Sequence, residues 1–200
     1  MRVTGQIALV FLCASAFNPS IAFAEALSDL STPPPADKAR IVFLRIKQAV
    51  GSEVGADLLE VVDDRPQYLV QLRQSEKLIW ETTPGSRKFM TLGFGSAADL
   101  LFADLVGGKT YYVMLRSNPG RGSIIPTPVR AEGKFGIDSR VILNGIKTYR
   151  VVTPSADDKA RFSQQRNAAT VQEEYEKRNG AFQRKADAQD ERTLRPEDGQ

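Results

Sequence analysis

The stretch V-G-G-K-T-Y-Y-V-M-L, residues 106–115, joins the ending of a phosphate-binding loop to a run of apolar and aromatic residues. A phosphate-binding loop requires G-x-x-x-x-G-K-[ST] and the N-terminus of a helix directly after it. Counting back from Gly108 places Ala103 where the first glycine belongs. The residues after Thr110 favour a strand, which offers no helix N-terminus to a phosphate. The stretch therefore predicts a Gly-Gly turn that opens a β-strand.

Short apolar segments bounded by turn residues lie on both sides of this strand. Strand-like segments occupy residues 39–46, 57–63, 67–73, 78–83, 87–92, 139–143 and 147–152. Asn144-Gly145, between the last two, is a strong hairpin signal. Residues 98–105 fit either a helical turn or a strand, because their apolar run is short. Together these segments predict a mainly β fold, an antiparallel β-sandwich over residues 38–153, followed by a C-terminal α-helix.

The composition changes after Thr153 to one rich in Ala, Gln, Glu, Lys and Arg, which predicts a charged amphipathic helix over residues 154–192. Two starts fit: Thr153 as cap before Pro154, or Ser155 as cap. The apolar residues form a thin stripe on one face of this helix, at Ala168, Val171, Tyr175, Phe182 and Ala186. Such a stripe suits a partner-binding helix, with Val171, Tyr175 and Phe182 as candidate contacts. The alternative, which the narrow stripe favours, is a solvated or frayed helix that packs weakly on its own domain.

Two further features complete the C-terminal region. Asn179-Gly180 interrupts the helical pattern and is expected to end or kink the helix. Residues 193–200 are short and polar, and we expect them to be disordered.

The N-terminus has the features of a secretory signal peptide over residues 1–24. Arg2 precedes an apolar run, and Ala22 and Ala24 place small residues at −3 and −1 of a cleavage site before Glu25. An uncleaved membrane anchor is the alternative. Cleavage would remove Cys13, the only cysteine, so the mature chain would form no disulfide. Residues 25–37 form a proline-rich leader. We expect a periplasmic or secreted protein.

The composition of the chain excludes several functional classes. The sequence has no histidine, which removes Ser-His-Asp and Cys-His chemistry within one chain. The formal net charge is +3 with both signs mixed along the chain, which does not match a nucleic-acid binder. The body has no apolar run long enough for a membrane span. The carboxylates at positions 57–64 do not match a calcium-loop spacing. We therefore expect no enzyme activity, no cofactor and no metal.

Three aromatic residues are candidate ligand contacts: Trp80, Tyr111 and Tyr112. At alternating strand positions such residues are more often part of the core. Tyr111 and Tyr112 are adjacent, so in a strand they face opposite sides, and one is expected to point outward.

Three motifs carry a resemblance to a known family: A-R-I-V-F-L-R after the prolines, T-T-P-G-S-R-K-F-M-T-L, and G-G-K-T-Y-Y-V-M-L. Over roughly 80 residues the chain resembles an uncharacterised family of bacterial exported and lipoprotein β-domains, a domain of unknown function related to the PEGA-like envelope domains. The lipidation cysteine common in that family is missing here. The resemblance implies a small β-sandwich at the cell envelope and supplies no catalytic residue. The resulting hypothesis is a non-enzymatic module that binds an envelope protein or surface. A small-ligand or glycan-binding sandwich and a carboxylate-based hydrolase are the alternatives.

Overall fold

A strand covered on both faces lies at the centre of the computed structural model, which describes residues 30–48, 55–93, 97–118, 120–132 and 135–200. Strand β1 (Ala39–Arg45) is buried at every position. Ile41 and Phe43 face the core between two sheets, whereas Val42 and Leu44 face a second core on the opposite side. A strand covered on both faces needs a continuous apolar run instead of alternation. This requirement explains the run I-V-F-L within the strand.

Two five-stranded sheets make up the body of the protein. The other strands are β2 (Ala56–Val62), β3 (Arg65–Leu72), β4 (Glu76–Thr82), β5 (Gly85–Leu92), β6 (Ala98–Leu105), β7 (Thr110–Asn118), β8 (Ser123–Pro128), β9 (Arg150–Val151) and β10 (Thr193–Leu194). The first sheet has the order β8-β7-β1-β4-β9 and the second β10-β6-β5-β2-β3. The mainly β prediction is confirmed. Both sheets are mixed rather than purely antiparallel, because the pairs β1–β7, β4–β9 and β6–β10 are parallel.

The inner faces of the two sheets share one apolar core. Phe43 from the first sheet meets Phe89 from the second edge-on, with ring centroids 5.2 Å apart. Leu58, Leu101 and Leu115 are fully buried in the same cluster. Edge-to-face aromatic pairs and buried leucines are the contacts that hold packed sheets together.

The predicted hairpin around Asn144-Gly145 is wrong, because residues 140–148 form a helix. Helix α1 (Arg140–Thr148) begins after Ser139, whose hydroxyl accepts a hydrogen bond from the amide of Ile142. Ile142 and Gly145 form its buried face, and the helix covers the outer face of the first sheet. Lys77 on β4 donates to the carbonyl of Ile146 in the last turn, where a cation is favoured.

The single predicted C-terminal helix is three helices: α2 (Ala156–Gln165), α3 (Ala168–Gln183) and α4 (Ala186–Asp190). Ser155 caps α2, as one of the two predicted starts requires. Asn167 then caps α3, its side chain accepting from the amide of Ala169 at 2.8 Å. A new cap directly after Arg166 explains the break. Asn179 and Gly180 lie inside α3 and do not end it.

The last residues are ordered, contrary to the expected disorder of residues 193–200. Thr193–Leu194 forms β10 beside β6, and Pro196–Asp198 forms a 3₁₀ helix. The backbone of Gln200 exchanges two hydrogen bonds with Thr110, at 2.8 and 3.0 Å. None of the helices within the described ranges combines the length and apolar composition needed to cross a bilayer.

Candidate functional site

The three aromatic residues proposed as ligand contacts are parts of the two cores. Tyr111 is fully buried between the sheets, and its hydroxyl accepts a hydrogen bond from the amide of Val106 at 2.9 Å. Tyr112 is buried on the other face of β7, in the second core with Val42 and Met114. Trp80 is half-buried against the inter-sheet core. The expectation that one tyrosine points outward to solvent is wrong, because a second apolar core covers the outer face of the first sheet.

The three residues proposed as partner contacts cover the second sheet instead. Val171, Tyr175 and Phe182 are buried against β2, β5 and β6 together with Leu59, Met90 and Leu100. The hydroxyl of Tyr175 donates to Asp64 and accepts from the ammonium of Lys88 at 2.7 Å. The apolar stripe of α3 therefore packs against the second sheet of the same chain. The predicted signal-cleavage residues Ala22, Ala24 and Glu25 lie outside the described residues.

A polar cleft of 370 Å³ opens beside β3, at the edge of the second sheet. Residues of β3, the turn into β4 and α2 line it, together with residues 57, 150 and 152. Its lining is Asp57, Tyr68, Gln71, Arg73, Glu76, Arg150, Val152, Asp158, Arg161, Phe162 and Gln165. We call this set the polar cleft.

An aromatic stack joins β3 and α2 in the polar cleft. The rings of Tyr68 and Phe162 are stacked, with centroids 4.4 Å apart and planes 21° from parallel. Helix α2 has no fully buried residue, and Phe162 also packs against the apolar cluster that contains Leu59 and Met90. Burial, followed by the charges of Asp57 and Asp158, raises the pKa of Tyr68 to about 12. The phenol is therefore neutral and can both donate and accept hydrogen bonds at physiological pH.

Every carboxylate of the polar cleft accepts from an arginine. Glu76 is paired with Arg150, and its second oxygen accepts from the backbone amide of Arg73 at 2.8 Å. Asp158 is paired with Arg161. A hydrogen bond from Ser155 holds the pKa of Asp158 below its usual range, and Arg161 lowers the pKa further. Asp158 is therefore ionised throughout the physiological range.

The floor of the polar cleft is the carboxylate of Asp57 on β2, which is almost fully buried. It accepts from the amide of Gln71 at 2.8 Å and from the guanidinium of Arg166 at 3.0 Å. Burial raises the pKa of Asp57, and this effect outweighs the lowering by Gln71 and Arg166. Arg166 ends α2, so this ion pair fixes the corner between α2 and α3 against the sheet.

Tyr68 and Phe162 were not singled out by the sequence. The signal for Phe162 was present, because it is the one aromatic residue in the polar helix A-D-D-K-A-R-F-S-Q-Q. Among the described residues, no group of three or more His, Cys, Asp or Glu side chains could hold a metal ion. No protein-family model matches the chain, and a search of the curated proteins found no match to it.

Proposed function

We propose that this protein is an exported, non-enzymatic module of the bacterial cell envelope that binds a glycan in the polar cleft. Its location, periplasmic or secreted, follows from the signal-like residues 1–24 and from the resemblance to the exported β-domain family. The mainly β body suits this role, because its rigid sheets place polar side chains at fixed positions.

The observation that carries the proposal is the Tyr68–Phe162 stack within a ring of planar polar side chains. A sugar ring has an apolar C–H face and a rim of hydroxyl groups. An aromatic surface packs against such a face, while guanidinium and amide groups donate to the rim. Arg73, Gln71 and Gln165 offer these donors around the stack. Arginine can also bind a carboxylate through two parallel hydrogen bonds, so the test includes acidic as well as neutral glycans.

The pairing of the carboxylates supports binding rather than catalysis. Asp57, Glu76 and Asp158 each accept from an arginine, so each carboxylate already has a cationic partner within the protein. A glycosidase needs one carboxyl group that protonates the leaving oxygen and a second that acts as base or nucleophile. The sequence also has no histidine to serve as a general base.

Binding a protein through the C-terminal helix is less well supported, because the apolar stripe of α3 is buried on the second sheet. Deleting residues 155–200 would expose that sheet face and unfold the protein, so a truncation cannot test a contact. Point substitutions in the polar cleft are the suitable test.

The test is isothermal titration of the mature chain with peptidoglycan fragments, acidic oligosaccharides and neutral oligosaccharides. Replacing Arg73 and Arg161 with alanine removes two exposed guanidinium groups from the polar cleft. We expect at least a tenfold loss of affinity for the glycan that binds, about 1.4 kcal/mol. The double variant R184A/K185A, which removes two charges elsewhere, is expected to bind normally. A flat response across the panel, or equal binding by all three proteins, would contradict the proposal.

A further inference from the structure

A second cleft, separate from the polar cleft, has an excess of positive charge. It lies between the start of β6, residues 118 and 121–125, and the middle of α3, and its volume is 420 Å³. Its charged lining consists of four basic and two acidic side chains: Arg121, Lys177, Arg178, Arg192, Asp99 and Glu174. We call this set the basic cleft. Its formal charge is therefore +2.

The buried carboxylate of Asp99 lies close to two of these arginines, Arg178 and Arg192. Oδ1 of Asp99 accepts from the guanidinium of Arg178 at 2.9 Å and from the amide of Leu100 at 3.0 Å. Nε of Arg192 lies 4.0 Å from the same oxygen, beyond hydrogen-bond distance. That nitrogen is buried and has no hydrogen-bond partner within the described part of the chain. The single negative charge of Asp99 thus lies beside two positively charged guanidinium groups and can neutralise only one of them.

The surroundings of Arg192 add positive charge. Burial lowers the pKa of Arg116, and the nearby charge of Arg192 lowers it further, so the two guanidinium groups repel each other. Across the described ranges, the guanidinium of Arg121 has no carboxylate within 4.0 Å, whereas Lys177 has Glu174 at 3.6 Å. Like charges in close proximity are unfavourable unless an anion compensates them.

We propose that the basic cleft binds a ligand that carries a phosphate monoester. The formal charge of +2 matches a dianion, and guanidinium groups bind phosphate oxygens through paired N–H donors. The neutral side chains of Asn118 and Ser123 also line the cleft and can donate to the same oxygens. A free phosphorylated small molecule and a phosphorylated lipid headgroup present this same chemistry.

Isothermal titration with inorganic phosphate and glycerol 3-phosphate tests the soluble source, and flotation with vesicles tests the lipid source. The vesicles contain phosphatidic acid in phosphatidylcholine, with pure phosphatidylcholine as the blank. Binding to either source, lost on replacing Arg121 and Lys177 with alanine, supports the proposal. We expect that double variant to bind at least tenfold more weakly. Both residues are exposed, so their replacement does not disturb the buried pairs of Asp99.

The matched control R184A/K185A removes the same charge from the end of α3, outside the basic cleft. We expect this control to bind as well as the unaltered protein. Equal losses in the two double variants would show general charge attraction and overturn the proposal. Absence of binding to all the phosphate probes would also overturn it. The variant R73A/R161A alters the polar cleft and leaves the basic cleft unchanged. We expect it to bind phosphate as well as the unaltered protein does, which would show that the two proposed sites are separate.

Discussion

Two adjacent glycines at the entry to β7 have different roles. Gly108 has φ of +76°, a left-handed conformation that favours glycine, and its amide donates to the carbonyl of Lys38 at 2.8 Å. Gly107 instead permits close packing, because a Cβ there would lie 1.9 Å from the carbonyl oxygen of Ala36. The glycines of the Gly-Gly-Lys-Thr string thus let the end of the leader cross the start of β7. The string contributes to packing and not to phosphate binding.

Replacing Gly107 with alanine is expected to destabilise the protein by about 2 kcal/mol or more, because two backbone segments must separate. Gly108→Ala should cost about 1–2 kcal/mol, the strain of a left-handed alanine. Gly120→Ala is the control, since its Cβ would meet only Asn118, at 3.8 Å. Urea unfolding measures the three free energies of unfolding. A G107A variant as stable as G120A would contradict the close approach.

Among the strands and helices, local pattern predicted strands well and failed where residues distant in sequence decide the structure. The turn residues and apolar runs located β1, β4, β5 and β7 close to their observed bounds. Asn144-Gly145 failed because the outer face of the first sheet, with Val42 and Met114, needs a cover that a hairpin would not supply. The preference of two residues for a turn is small beside the burial of that face. Helix α1 therefore forms because of its tertiary packing against the sheet, and not because of its local sequence.

The candidate site was not predicted for a related reason. Tyr68 lies on β3 and Phe162 on α2, and nothing in either local sequence indicates that the two rings meet. Conversely, the residues that the sequence did select have large aromatic rings: Tyr111 and Tyr112 lie in the cores, and Trp80 packs against one of them. Binding surfaces on a β-rich protein come from residues that remain half-exposed after the cores are filled, and periodicity does not identify them.

Helix α2 has no fully buried residue, and Phe162 is its aromatic contact with the sheet, through Tyr68 and the apolar cluster of the second sheet. Phe162→Ala should remove about 1–1.5 kcal/mol of aromatic pairing. Amide exchange within Ala156–Gln165 should then become about tenfold faster, while exchange in α3 stays unchanged. Gln164→Ala, an exposed change in the same helix, is the control. If F162A accelerates exchange equally throughout the molecule, α2 is part of the global unfolding unit and the expectation is wrong.

The C-terminal segment, residues 193–200, connects the two sheets. Leu194 on β10 is fully buried in the inter-sheet core, next to β6 of the second sheet. Gln200 then pairs with Thr110 at the start of β7 in the first sheet. Between them Asp198 is buried and accepts from the amide of Arg195 at 2.9 Å. Polar composition suggested disorder, but the order of this segment depends on partners far away in sequence.

Leu194→Ala tests whether this C-terminal connection belongs to the cooperative fold. A fully buried leucine replaced by alanine costs about 2–5 kcal/mol, so the urea midpoint should fall clearly. Unfolding followed by the fluorescence of Trp80 in the first sheet and by far-UV circular dichroism should remain coincident, because one core joins both sheets. Glu197→Ala, at an exposed position in the same segment, should leave the midpoint unchanged. Equal midpoints for L194A and E197A would mean that residues 193–200 do not contribute to stability. Separated transitions would mean that the two sheets unfold independently, and the shared core would then be too weak to couple them.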